Sequence, residues 1–193
     1  MPAPRKAGDL KGGAWADLLA PYQLSEVRAG LWQLGTSVLP YGALLSVMVY
    51  SLSYGYWLTL LLSIPTAGFL LRLFIIQHDC GHGVFFPCRA ANNTLGFFLG
   101  LLTLTPYTYW RKTHAIHHAT SGNLDRRGFG DIKTLTVREY RGLPRHKRLA
   151  YRLYRNPLLM FVMGPLFQFI LKHRFPWDMP RQWKREWQSV HLT

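Results

Sequence analysis

AGLWQLGTSVLPYGALLSVMVYSLSYGYWLTLLLSIPTAGFLL, residues 29–71, runs for 43 residues without an Asp, Glu, Lys or Arg. A helix crossing a hydrocarbon core of about 30 Å needs roughly 20 apolar residues. The run therefore has the length of two crossings joined by a turn. We read spans over residues 31–50 and 56–76, with Ser51, Ser53, Tyr54 and Gly55 turning the chain between them. Pro40 and Pro65 fall inside the spans, where neighbouring helices can re-satisfy the carbonyls they free. The competing reading is a helical hairpin buried in a soluble protein, which would rarely avoid charge for so long.

Working outward, the composition agrees with a membrane protein of one domain: 193 residues, 49% hydrophobic, 17% charged and 15% aromatic. The first thirty residues contain no compact apolar stretch before a small-residue cleavage site, so the spans themselves are expected to insert the chain. The net charge of +14 is unevenly placed. Of 23 Lys and Arg, 12 lie between Tyr107 and Arg155, and Arg5, Lys6, Lys11 and Arg28 precede the first span. Only Arg72 and Arg89 stand between Arg28 and Tyr107. That bias predicts residues 1–30 and 107–155 on the cytoplasmic side of a multi-pass membrane protein. It does not read as a nucleic-acid module, of which there is no motif. Cys80 and Cys88 form no CxxC pair and no disulfide framework, which accords with a reducing side.

Two histidine clusters follow the second span: His78 and His82, then His114, His117 and His118. Imidazole is the commonest side-chain ligand for iron, zinc and copper. A spacing of four places His78 with His82, and His114 with His118, on one face of a helix. His117 is rotated about 100° from His118, so adjacent histidines suit two ions better than one. Asp79 has two readings, a carboxylate that accepts from the far nitrogen of a ligating imidazole or a solvated group at a helix end. A closed structural zinc site would normally bring thiolates, and none pairs here. His146, His173 and His191 stand alone and are read as surface residues.

Both clusters can share a site only if the charge-free segment 90–110 does not cross the membrane. Its strongly apolar part, residues 95–104, is too short to do so and includes Gly96 and Gly100, with Pro106 just beyond. A re-entrant or interfacial hairpin at about 94–105 keeps all five histidines at one face. Residues 157–171 are read as a third span that leaves residues 172–193 on the far face. The alternative is an interfacial helix followed by an amphipathic tail carrying Trp177, Trp183 and Trp187. The expected fold is all-α and integral to the membrane, with transmembrane helices, an interfacial hairpin and a cytoplasmic histidine-rich cap.

FIIQHDCGHG (residues 74–83) resembles the first histidine box of the integral-membrane fatty acid desaturases, and WRKTHAIHHA (110–119) resembles the second. TSGNLDRRGFGDIKTLTVREY (120–140) and YRNP (154–157) are similar to bacterial members near the omega-6 (delta-12) acyl-lipid branch. The resemblance implies that residues 31–193 form the N-terminal part of a desaturase domain, with His78, His82, His114, His117 and His118 as ligands of a centre of two iron ions. It implies O2 as co-substrate, a membrane lipid or fatty acyl chain as substrate and a cis double bond as product. It also implies a separate electron donor, a ferredoxin or b-type cytochrome; from its charge, the basic 107–155 face, with Arg126, Arg127 and Arg138, is expected to dock an acidic donor. Members carry a third histidine box, which these 193 residues lack, so the chain is expected to be inactive alone. The rival readings are a membrane hydroxylase of the same superfamily and a non-catalytic membrane metal-binding protein.

Overall fold

A computed structural model of the chain describes residue 19, residues 24–128 and residues 132–193. Most of the expected cytoplasmic segment 1–30, with Arg5, Lys6 and Lys11, lies outside the described residues. Helix α1 covers Val27–Ser51 and α2 covers Tyr56–His82, 25 and 27 residues. At 1.5 Å per residue they are about 38 and 40 Å long, more than a hydrocarbon core requires. Only 11% and 17% of their most apolar windows are buried, so Leu39, Val49, Leu61 and Ile64 face outward. The buried core hairpin of a soluble protein would show the reverse. These are two helices long and apolar enough to cross a membrane.

Small polar residues hold the pair together. The Ser51 and Thr59 hydroxyls meet at 2.7 Å, and Thr66 Oγ1 donates to Leu62 O at 2.7 Å and touches Met48 Sδ at 3.0 Å. Where lipid is as apolar as leucine, such close packing and hydrogen bonding, rather than water exclusion, join helices. At the connecting turn Tyr50, Tyr54, Tyr56 and Trp57 are all exposed, the composition of an interfacial aromatic belt. His78 lies 22 positions beyond Tyr56 on α2, about 33 Å away. The aromatic turn and the histidines thus stand one hydrocarbon thickness apart.

After α2 the chain forms a short helical hairpin, α3 (Arg89–Leu102) and α4 (Tyr107–Thr120), each 14 residues and about 21 Å long. The sequence placed a hairpin at 94–105. The observed one is wider, because the second histidine helix is its return arm. Its apex is tight: Leu104 takes a φ of +54°, and Thr103 and Thr105 are buried. Thr103 Oγ1 donates to buried Gln77 Oε1 at 2.5 Å, tying the apex to α2. Gly96 lets α4 lie close, since a Cβ there would sit 2.3 Å from the Tyr107 ring. Tyr107 Oη in turn donates to Cys80 O at 2.9 Å. Leu73, Ile76, Cys80, Phe85, Phe86, Leu99 and Tyr107 form the core among α2, α3 and α4. Buried Asn92 fastens the α2–α3 loop, accepting from Phe86 N at 2.9 Å and donating to Phe86 O at 2.7 Å.

Further on come α5 (Val137–Gly142), α6 (Arg145–Tyr154), α7 (Leu159–Lys172) and α8 (Lys184–Leu192). No strand occurs among the described residues. Most of α7 is wound as a π-helix, with His173 N bonded to Gln168 O at 3.0 Å, five residues back. Even at the α-helical rise α7 would be about 21 Å long, less than a hydrocarbon core. α8 packs on α4, with Tyr109, Met179 and Val190 buried together and Lys112 Nζ 2.9 Å from Glu186 Oε1. The tail thus packs against the helix that carries the second histidine cluster, a contact the interfacial alternative accommodates.

His173 departs from the sequence reading. It is 2% exposed rather than superficial, held between the rings of Tyr109 and Phe169 with its Nε2 2.9 Å from Gln168 Nε2. His146 and His191 are exposed.

Candidate metal centre

The last turn of α2 presents His78 and His82, and α4 presents His114 and His118 one turn apart. α2 ends where Gly83 takes a φ of +78°, a left-handed cap that turns the chain away beyond His82. α4 comes close because Gly81 has no side chain: a Cβ there would lie 2.7 Å from Trp110 Cζ3. Trp110 fills that space and stacks on the His114 ring, centroids 4.6 Å apart and planes 16° from parallel. It also lies 5.7 Å from the His78 ring.

The result is a convergence of nitrogens. His114 Nε2 lies 3.0 Å from His78 Nε2, 3.2 Å from His82 Nε2 and 3.0 Å from His118 Nε2, and His82 Nε2 is 3.3 Å from His78 Nε2. One ligand atom from each of the four lies within 4.8 Å of all the others. A single Nε2 carries one proton or one lone pair, so it cannot hydrogen-bond to three like neighbours at once. Four nitrogens bound to one ion at about 2.1 Å would be separated by edges of about 3.0–3.4 Å, and four of the six pairs here are spaced 3.0–3.3 Å. The donor set fits a first-row transition ion.

Protonation favours the same reading. Burial, then the neighbouring His78, His118, His82 and His117 rings, pushes His114 down to about 4, so it offers a neutral lone pair at neutral pH. Asp79 Oδ1 lies 3.2 Å from His78 Nδ1, positioned to accept the Nδ1 proton and leave Nε2 free for a cation. Asp79 thus touches the imidazole while its side chain remains 37% exposed.

His117 stands apart from the four. Its ring centroid is 6.2 Å from that of His114 and 5.9 Å from that of His118, and it is not one of the converging donors. Sequence reasoning missed Trp110 and the α8 contacts. The one local hint was Gly81 inside the HDCGH stretch, a gap that some large side chain had to fill.

Comparison with known proteins decides the family: the model of the fatty acid desaturase family matches residues 55–193. The chain belongs to the fatty acid desaturase family. It is 48% identical over 175 residues to a fatty acid desaturase of Bacillus subtilis, covering 91% of this chain and 49% of that protein. Over 53 residues it is 45% identical to the sn-1 acyl-lipid omega-3 desaturase (ferredoxin) of Synechocystis, covering 28% of this chain and 15% of that protein. Over 59 residues it is 39% identical to a delta(12) fatty acid dehydrogenase of Crepis alpina, 31% and 16% of the two chains. The chain thus spans about half the length of the B. subtilis relative and less of the others. No solved structure matches it.

Proposed function

We propose that this desaturase-family chain binds iron through His78, His82, His114 and His118 and belongs to an enzyme that inserts a cis double bond into a fatty acyl chain. The observation that carries the reading is the convergence of four Nε2 atoms within 4.8 Å, on helices that continue from an apolar hairpin. Iron held there would supply the O2 chemistry that takes one hydrogen from each of two adjacent methylenes, with two electrons from a separate donor and two protons from solvent, O2 leaving as two waters.

The chain's own residues do the holding. Asp79 keeps the His78 proton on Nδ1, and Trp110 braces the His114 ring from one side. The outward apolar surface of α1 and α2 offers the lipid phase from which an acyl chain arrives. Five histidines cannot close two metal shells, so a second iron, taking His117 as one ligand, draws its remaining ligands from outside this set. We accordingly propose that this chain alone holds one ion and does not turn over. The donor, of ferredoxin or b-type cytochrome class, would meet the basic surface near Arg126 and Arg138, since Arg127 is engaged by Glu139 at 2.9 Å.

The test is metal analysis of the full chain purified in detergent and loaded anaerobically with ferrous iron. One tightly held ion per chain, lost in His114→Ala, is expected. Two tight ions would overturn the single-ion reading, and no ion beyond that held by His114→Ala would overturn the site. Fatty acid profiles of the native host with and without the gene test the activity. Loss of an unsaturated acyl product is expected, whereas loss of a hydroxylated one would place the protein with the hydroxylases.

A further inference from the structure

Much of the positive charge lies on a segment the metal centre does not use. Between Val137 and Arg155 seven cations (Arg138, Arg141, Arg145, Lys147, Arg148, Arg152 and Arg155) face one acid, Glu139. Glu139 is already committed. The Thr136 backbone amide at 2.6 Å and the Arg127 guanidinium at 2.9 Å hold its carboxyl down at about 2, so it neutralises little of the α5–α6 charge.

α6 is two-sided. Tyr151 and Tyr154 turn toward the chain before α5, where their hydroxyls accept from Leu135 N and Lys133 N, each at 3.1 Å. At helical period Leu149 and Leu153 fall together opposite Tyr151, with Arg145, Arg152 and Arg148 along one border of that strip and His146 and Ala150 along the other, Ala150 next to Tyr154. Leu149 and Leu153 are 57% and 53% exposed. Arg152 is fixed in place, its Nε donating to Tyr140 Oη at 2.6 Å, which leaves its terminal amines for another acceptor. The chain then passes through Asn156 into α7, where Leu158, Phe161 and Val162 are also exposed.

We propose that α6 lies in the headgroup layer and binds anionic phospholipid, with Leu149 and Leu153 against the acyl boundary, Ala150 at the edge of that strip, and Arg145, Arg148 and Arg152 on lipid phosphates. An apolar strip bordered by cations is the pattern of an interfacial helix. Its continuity with the outward apolar side chains of α7 places that strip where lipid begins. A soluble acidic protein would match the charge yet leave the leucines and the adjoining α7 surface wet, so lipid is the occupant the surface fits. The inference does not depend on the metal reading.

The test uses the full chain in nanodiscs, with a bimane label on Ala150→Cys in a Cys88→Ser background, Cys80 being buried. Discs of phosphatidylcholine are compared with discs containing increasing phosphatidylglycerol, each with a shallow doxyl lipid as quencher. Quenching is expected to rise with phosphatidylglycerol and to fall in high salt. Replacing Arg145, Arg148 and Arg152 by Gln should weaken seating by roughly fivefold per arginine, while iron binding, read on the same samples, stays intact and reports the fold. Equal quenching in both lipids overturns the proposal. So does protection of the label by an acidic ferredoxin with no response to phosphatidylglycerol, which would make the surface a protein dock.

Discussion

His114 sits at the centre of the donor set, within 3.2 Å of three other Nε2 atoms, while His117, three residues on, is turned off it. The two positions should therefore separate in a metal titration. His114→Ala is expected to remove tight binding of the first ion, and His117→Ala to leave it within a few-fold. Asp79→Asn keeps the shape at His78 but weakens the acceptor on Nδ1, and should cost about 10–100-fold in affinity. Competition with a chromophoric chelator reads all three variants. His173 makes a different prediction at the same scale. Burial, opposed in part by a backbone hydrogen bond at Leu104, pushes it down to about 4 from 6.5. Between those values the unfolded chain takes the proton and the folded chain does not, so stability falls as the pH drops from 6.5 toward 4. The full shift is equivalent to about 3 kcal/mol. Thermal melts of the metal-free chain should show that slope, and His173→Gln should lessen it, leaving the contribution of His114, which is also pushed down to about 4.

Helix contacts make the site, and glycine permits them. Gly96 faces the buried Tyr107 ring, which cannot swing aside without losing its bond to Cys80 O, one residue pair from the histidines of α2. Gly96→Ala should cost about 1–3 kcal/mol through overpacking, and in displacing α4 it should also lower metal affinity. A variant that loses stability with unchanged affinity would show the two to be uncoupled. How much of this the sequence displayed follows from range. The two long helices were visible because absence of charge over 43 residues is a local property. The pairing of His78 with His82 and of His114 with His118 was visible because one helical turn is fixed at about 3.6 residues. The α8 contact on α4, Thr108 N to Ser189 Oγ at 3.1 Å, joins residues 81 apart, and no periodicity announces such a contact. The burial of His173 was hidden for the same reason: a lone histidine carries no signal until the helix that covers it is placed.

At the scale of the molecule, the aromatic turn at Tyr50–Trp57 and the donor cluster at the end of α2 occupy opposite ends of one hairpin, about 33 Å apart. An orientation for the hairpin fixes the side on which every later element works. Positive charge is retained on the cytoplasmic face, so the basic residues after Tyr107 are expected there together with the histidines. The turn should then face the opposite compartment. Ser53→Cys in a Cys88→Ser background should react with a membrane-impermeant maleimide added to intact spheroplasts. Native Cys88, exposed just before α3, should react only in inverted vesicles. Cys80 is buried and serves as the unreactive reference. The opposite labelling pattern would put the histidines outside, away from reduced cytoplasmic donors, and would remove both the orientation and the donor-docking reading. Labelling of both cysteines from one side would mean that α2 does not cross, and the apolar exteriors of α1 and α2 would then need a protein partner rather than lipid to cover them.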